Sequence, residues 1–249
     1  MTILENNSSF RDTRKTFFRI LNQIDRFGDM RATLILTFLG IQDKHDVIIS
    51  ELRKLYDAPG RYYHTWEHII ACLEKLFEIA TELSLSDEDI AIIGGAILFH
   101  DEIYEVTSGK YYQANEARSA HSAYHRLESH GVDSLKCTEI SRLIRETAHG
   151  RVPLGDDVLT RIMHDIDMSI LGASAPEYRI YGHSIRNELS PLVSGSDFEK
   201  IRREKFLAPT LEEKNIYVTP YFQDKYEEQA RKNMKAELEG EISFMPEDI

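Results

Sequence analysis

A chain of 249 residues, 42% apolar and 29% charged, has an ordinary globular composition and can bury a sizeable core in one large domain or two small ones. Thirty basic against forty-two acidic residues give a formal net charge of -12. That balance disfavours a non-specific nucleic-acid binder, which needs basic stripes to displace counterions, but it is compatible with a small anionic substrate held by a few local arginines.

Only Cys72 and Cys137 are present, with no CxxC pair, so neither a disulfide framework nor a thiolate metal site is expected. The opening MTILENNSSFRDTRK is polar where a signal peptide needs an apolar run. The longest apolar stretch, around residues 90–99, is too short to span a bilayer. The expected setting is cytoplasmic, without a membrane partner.

Seven prolines, most of them in short connections, leave long segments with helical periodicity. Residues 10–27 read as an amphipathic helix with Phe10, Phe17, Ile20, Leu21 and Ile24 inward. Residues 31–39 and 43–57 give two more, the second ended by Ala58-Pro59-Gly60. Residues 65–83 follow, with Cys72, Leu76, Ile79, Ala80 and Leu83 along one side. Ser86 and Asp89 form a capping box that starts a helix over 87–104. Its IAIIGGAILFH run is apolar on nearly every face, which marks a helix buried at the domain centre. Gly94 and Gly95 cost helix propensity there, and close helix packing is the expected reason. Further helices are expected over 115–130, 134–149, 156–171, 174–190, 196–207 and 221–240. No alternating strand run and no internal repeat is found, so the fold class is all-α. No Pro/Ser/Gly-rich linker divides the chain. The expected organisation is one domain over 31–249 with a helical extension over 1–30.

The buried helix ends in His100-Asp101, a pair that is costly in an apolar setting unless bonded or liganded. In the helix over 156–171, helical phase places Asp167 with Met163, Ile170 and Leu171 on the apolar face. The same phase places Asp165 with Arg161 and Ser169 on a polar face, where an i−4 ion pair is available. His68 heads the face formed by Cys72, Leu76, Ile79 and Leu83. Three helices thus each present an inward histidine or aspartate. Any one of these residues is an ordinary core histidine or buried cap by itself. All four together would crowd unsatisfied polar groups into one core, and a shared ion resolves that. The mixed N/O set suits Mn, Fe, Co, Zn or Mg.

His68, His100-Asp101 and Asp167 resemble the H…HD…D pattern of the HD superfamily of metal-dependent phosphohydrolases. The similarity extends in order along residues 31–239. It comprises Tyr63-His64-Thr65…His68-Ile69, Phe99-His100-Asp101…Tyr104-Glu105, Asn115-Glu116…Arg118-Ser119-Ala120 and Thr147…His149. It continues through Asp165…Asp167…Ile170-Leu171-Gly172 and Ala230-Arg231…Asn233…Glu237-Leu238. These look like the motifs of a subgroup of predicted HD phosphohydrolases, with Thr65 where that subgroup usually has Asn and Glu105 where Asp is common. The resemblance implies an HD-domain helical bundle with a divalent metal ion between helices, bound by His68, His100, Asp101 and Asp167. By analogy with related cyclic-nucleotide phosphodiesterases it also implies that His64 is a proton donor to the leaving oxygen. The plainer alternative is that His64 caps the helix starting near Thr65.

Glu105, read as one helical turn beyond Asp101, is a candidate to orient a metal-bound water, or else a solvated carboxylate. Asn115 and Glu116 are candidates for substrate binding, or else an N-terminal cap with favourable charge. Arg61 is the preferred phosphate contact, ahead of Arg118, Arg186, Arg202 and Arg203. His149 and Asp165 are candidates for an extra ligand or for support of the first ligands. His121 and His125, though four apart, lack a carboxylate or cysteine partner and read as a solvated helix face. The expected function is metal-dependent hydrolysis of a phosphoester, a nucleotide or another small phosphorylated metabolite, and no nucleic-acid polymer. The alternatives are a di-iron oxygenase of HD type, which needs added ligands such as His149, and a non-catalytic binding or regulatory module.

Overall fold

The apolar spacing along the chain is helical, and the backbone follows it. The computed structural model describes residues 28–106, 114–149 and 157–244, and every regular element among them is helical. The elements are α1 (Gly28–Phe38), α2 (His45–Tyr56), α3 (Trp66–Glu82), α4 (Asp87–Phe99), α5 (Asn115–Ser129), α6 (Ser134–Glu146) and α7 (Val158–Asp167). They continue as α8 (Ala175–Leu189), α9 (Gly195–Arg202), α10 (Ala208–Glu212) and α11 (Pro220–Leu238). None of these helices is long and apolar enough to cross a membrane. The helix expected over 10–27, and with it nearly all of the 1–30 extension, lies outside the described residues.

α4 is the axis of the core. The Ser86–Asp89 capping box is formed at its start, with Ser86 accepting from the Asp89 amide. Every residue from Ile90 to Phe99 is buried, as an all-round apolar helix must be. α1, α3, α6 and α7 pack around it. The two glycines let α1 and α6 approach: a Cβ on Gly94 would overlap the Ile35 side chain, and one on Gly95 would lie 2.7 Å from Ile140 Cδ1. Gly94→Ala is therefore expected to lower stability by about 1–3 kcal/mol through overpacking, despite the better helix propensity of alanine. A thermal melt at or above the wild-type midpoint would contradict that packing.

Two helix ends differ from the sequence reading for non-local reasons, and one expected helix is divided. α4 stops at Phe99 and not at 104. The carbonyls of Asp101 and Glu102 accept from Arg61, and Ser119 and Asn115 bond the backbone of Ile103 and Glu105. With those groups satisfied from outside, nothing holds the segment in a helix. α7 stops at Asp167 and tightens into a 3₁₀ turn over Met168–Gly172, whose carbonyls are taken by Tyr217 and Asn233. The helix expected over 196–207 is divided into α9 and a π turn over Arg203–Leu207, and helical structure runs on beyond it as α10.

Candidate metal centre

The site begins in the loop between α2 and α3. Gly60 takes φ of +95°, a left-handed conformation that favours glycine. Arg61 then donates to the carbonyls of His64, Asp101 and Glu102 at 3.0, 2.7 and 2.9 Å, tying the loop to the end of α4. From α8, Glu188 reaches into the same loop and is 1% exposed. Its Oε1 accepts the amides of Tyr62, Tyr63 and His64 at 2.9, 3.1 and 3.0 Å, and its Oε2 lies 2.6 Å from His64 Nδ1. A carboxylate accepts only, so Nδ1 carries the proton and Nε2 is left for the site.

The His64 ring is held further by stacking on Tyr104, with centroids 4.2 Å apart, and by the edge of Tyr63. It does not cap α3, whose N-cap is Thr65. Burial opposes charge on His64, but the Asp101 and Glu188 carboxylates outweigh it and raise its pKa above the ordinary value. Burial likewise opposes charge on Glu188, yet the His64 bond and the loop amides hold its carboxyl below the usual range.

Beside this pair, α3, the end of α4 and the end of α7 deliver four donors to one place. His68 Nε2 is 3.4 Å from His100 Nε2, 3.2 Å from Asp167 Oδ1 and 4.0 Å from Asp101 Oδ2. His100 Nε2 is 3.0 Å from Asp101 Oδ2 and 3.5 Å from Asp167 Oδ1. His64 Nε2 stands 4.0 Å from Asp101 Oδ2. Both ligand-candidate histidines are buried, while Asp167 keeps about a quarter of its side chain exposed.

These residues fit a small divalent ion. Donors at about 2.1 Å from an ion are about 3.0–3.4 Å from one another in octahedral or tetrahedral arrangements, close to the separations seen. The tautomer also fits. His100 Nδ1 donates to the Ile97 carbonyl at 2.9 Å, so the neutral ring turns the Nε2 lone pair on two carboxylates. Lone pairs facing carboxylates require positive charge between them, from protons or from a metal. The same demand follows from the electrostatics: burial opposes a charged His100, but Asp101 and Asp167 raise its pKa well above the ordinary value. Against their own burial, Asp101 is held low chiefly by His100 and His64, and Asp167 by its bonds to His100 and His68.

Other expected site residues are placed elsewhere. Arg61 spends its guanidinium on carbonyls and stacks over Tyr56 and Tyr104, so its position is that of a loop clamp and not of a phosphate contact. Glu105 does not follow Asp101 on a helix, because α4 has already ended. It pairs with Arg118 at 2.8 Å on the exterior. Asn115 is buried and exchanges hydrogen bonds with the Glu105 backbone, which makes it a fastener of that loop. Glu116 is half-buried in the first turn of α5. His149 ends a 3₁₀ turn, and its side chain lies outside the described residues.

Asp165 is not on a polar face. It is fully buried and accepts from Val218 N, Thr219 N and Thr219 Oγ1 at 2.8, 2.7 and 2.6 Å, pinning the start of α11. Asp165→Ala would strand those donors, with an expected cost of about 1–3 kcal/mol and no loss of metal affinity. A melt read alongside metal titration checks both halves. The late motif is scaffolding too: Asn233 Nδ2 donates to the Leu171 and Ala173 carbonyls, and Glu237 pairs with buried Arg202.

A cavity of about 610 Å³ opens from the centre along α3 and α8, with His68, Cys72 and Asp167 in its wall. Glu188 is the residue that the sequence reading missed. Its signal was its position seven residues after buried Tyr181, which puts a carboxylate on the buried face of α8. Comparison with protein-family models, with curated proteins and with solved structures finds no match to this chain.

Proposed function

We propose that this protein is a metal-dependent phosphoester hydrolase of HD type, acting on a small phosphorylated metabolite. The observation that carries the reading is that His68 Nε2 and His100 Nε2, 3.4 Å apart, each lie 3.0–4.0 Å from a carboxylate oxygen of both Asp101 and Asp167, next to a histidine whose Nδ1–H is bound by a buried glutamate. A divalent ion held by the four donors would lower the pKa of a water molecule and polarise a phosphoryl oxygen.

The chain itself supplies position and a proton. His100 is fixed by the Ile97 carbonyl, and its ring cannot turn away without breaking that bond. His64 keeps Nδ1–H on Glu188 and offers Nε2–H beside Asp101, where a departing alkoxide can take the proton. Glu188 stabilises the imidazolium, and the Tyr104 ring sets its plane. The cavity next to His68 and Asp167 gives room for the alcohol part of the ester. The test is a panel of phosphomonoesters and phosphodiesters assayed with Mn, Fe, Co, Zn and Mg added to chelator-treated protein. Turnover that depends on added metal is expected. Protein that binds an ion tightly but hydrolyses no phosphoester would sink the hydrolase assignment while sparing the centre.

A further inference from the structure

The thiol of Cys72 is the one soft donor at this centre, and the four-donor set above does not use it. It follows His68 by one turn of α3, and its Sγ lies 3.7 Å from His68 Nε2 and 3.8 Å from Nδ1. Near-equal distances put the sulfur beside the ring and not on the axis of either nitrogen. Among the described residues no carbonyl anchors His68 as Ile97 anchors His100, and the His68 ring packs against Tyr63 and the thiol. His68, Cys72 and Asp167 offer three donor atoms that all lie within 4.8 Å of one another. All three also line the 610 Å³ cavity, whereas His100 and Asp101 do not. The second cysteine, Cys137, is buried elsewhere, against the Val132 carbonyl.

The geometry points to a second, overlapping metal position made of His68, Cys72 and Asp167, which takes a strongly thiophilic divalent ion such as cadmium on the cavity side of the centre. This inference rests on the metal-centre reading, because His68 and Asp167 belong to both positions. Hard ions have no use for a sulfur donor and stay with the nitrogen and oxygen set, whereas softer ions gain from a thiolate. Binding there displaces the Sγ proton to solvent and forms a sulfur–metal bond, with no change of oxidation state. Because His68 Nε2 is shared, the two positions exclude each other, and one ion per chain is expected whichever metal is supplied. An ion at the sulfur side would also stand in the cavity where substrate enters. One centre therefore sorts metals: hard ions sit away from the cavity, and soft ions obstruct it.

The experiment titrates chelator-treated protein with cadmium and reads ultraviolet difference absorbance together with bound metal. Wild type should bind one cadmium per chain and show a thiolate-to-cadmium charge-transfer band. Cys137→Ser should keep that band, and both Cys72→Ser and Cys72→Ala should lose it. Manganese should bind without the band, and in competition should suppress it. One cadmium per chain without the band in wild type would overturn the thiol position and leave the nitrogen–oxygen centre standing. Neither cadmium nor manganese bound would overturn both. Absence of the band is read in wild-type protein and needs no variant to fold, while a band that is present is assigned by Cys137→Ser, whose loss of it would overturn the Cys72 position.

Discussion

Asp167→Ala is expected to lower divalent-metal affinity by more than about 100-fold, beyond the loss usual for a residue that only supports a ligand. Among the described residues Asp167 Oδ1 is the one carboxylate oxygen within 3.5 Å of both imidazole nitrogens, so its removal takes away the charge that brings an ion between them. Turnover should fall in parallel. Stability gives an independent readout. An ion that binds only the folded site stabilises wild type by about 2.7 kcal/mol at a hundred times its Kd, so manganese should raise the melting temperature of wild type and leave that of Asp167→Ala unchanged. Asp167→Asn keeps the shape without the charge and should behave like the alanine variant. If manganese still shifts the melt of both variants, Asp167 is not a ligand.

His64→Ala should lower kcat by about 10²–10⁴-fold on an ester with a poor leaving group, with metal content intact. The loss should shrink on a nitrophenyl ester, whose departing oxygen needs little protonation. That contrast separates a proton donor from a residue that merely shapes the loop, because a shaping role would reduce both substrates alike. Glu188→Gln is the companion test. A glutamine can still accept the three loop amides but offers N–H to His64 Nδ1 in place of a carboxylate. The imidazolium then loses its partner, and a smaller loss in the same direction is expected, again larger for the poor leaving group. Metal loss in either variant would place His64 among the ligands.

Much of this site was readable in the chain before folding. His68, His100 and Asp167 fall on apolar helix faces near helix ends, and ordered motif spacing joined them. What escaped the sequence was set by contacts between distant segments. Asp165 read as solvent-facing because the two residues just before α11, Val218 and Thr219, cover what would otherwise be an open helix face. Glu105 read as a helical neighbour of Asp101 because nothing local ends α4. The terminator is Arg61, some forty residues upstream. Cys72 read as a core residue, correctly, since it is 2% exposed. Its approach to Asp167 depends on how α3 packs beside α7, which periodicity within one helix does not contain.

If His68, His100, Asp101 and Asp167 together hold one divalent ion, anomalous scattering from crystals of the manganese-loaded protein should show one strong peak per chain, about 2.0–2.3 Å from His68 Nε2, His100 Nε2 and a carboxylate oxygen each of Asp101 and Asp167. A peak elsewhere, or none while the four side chains remain paired with one another at full manganese saturation, would contradict it.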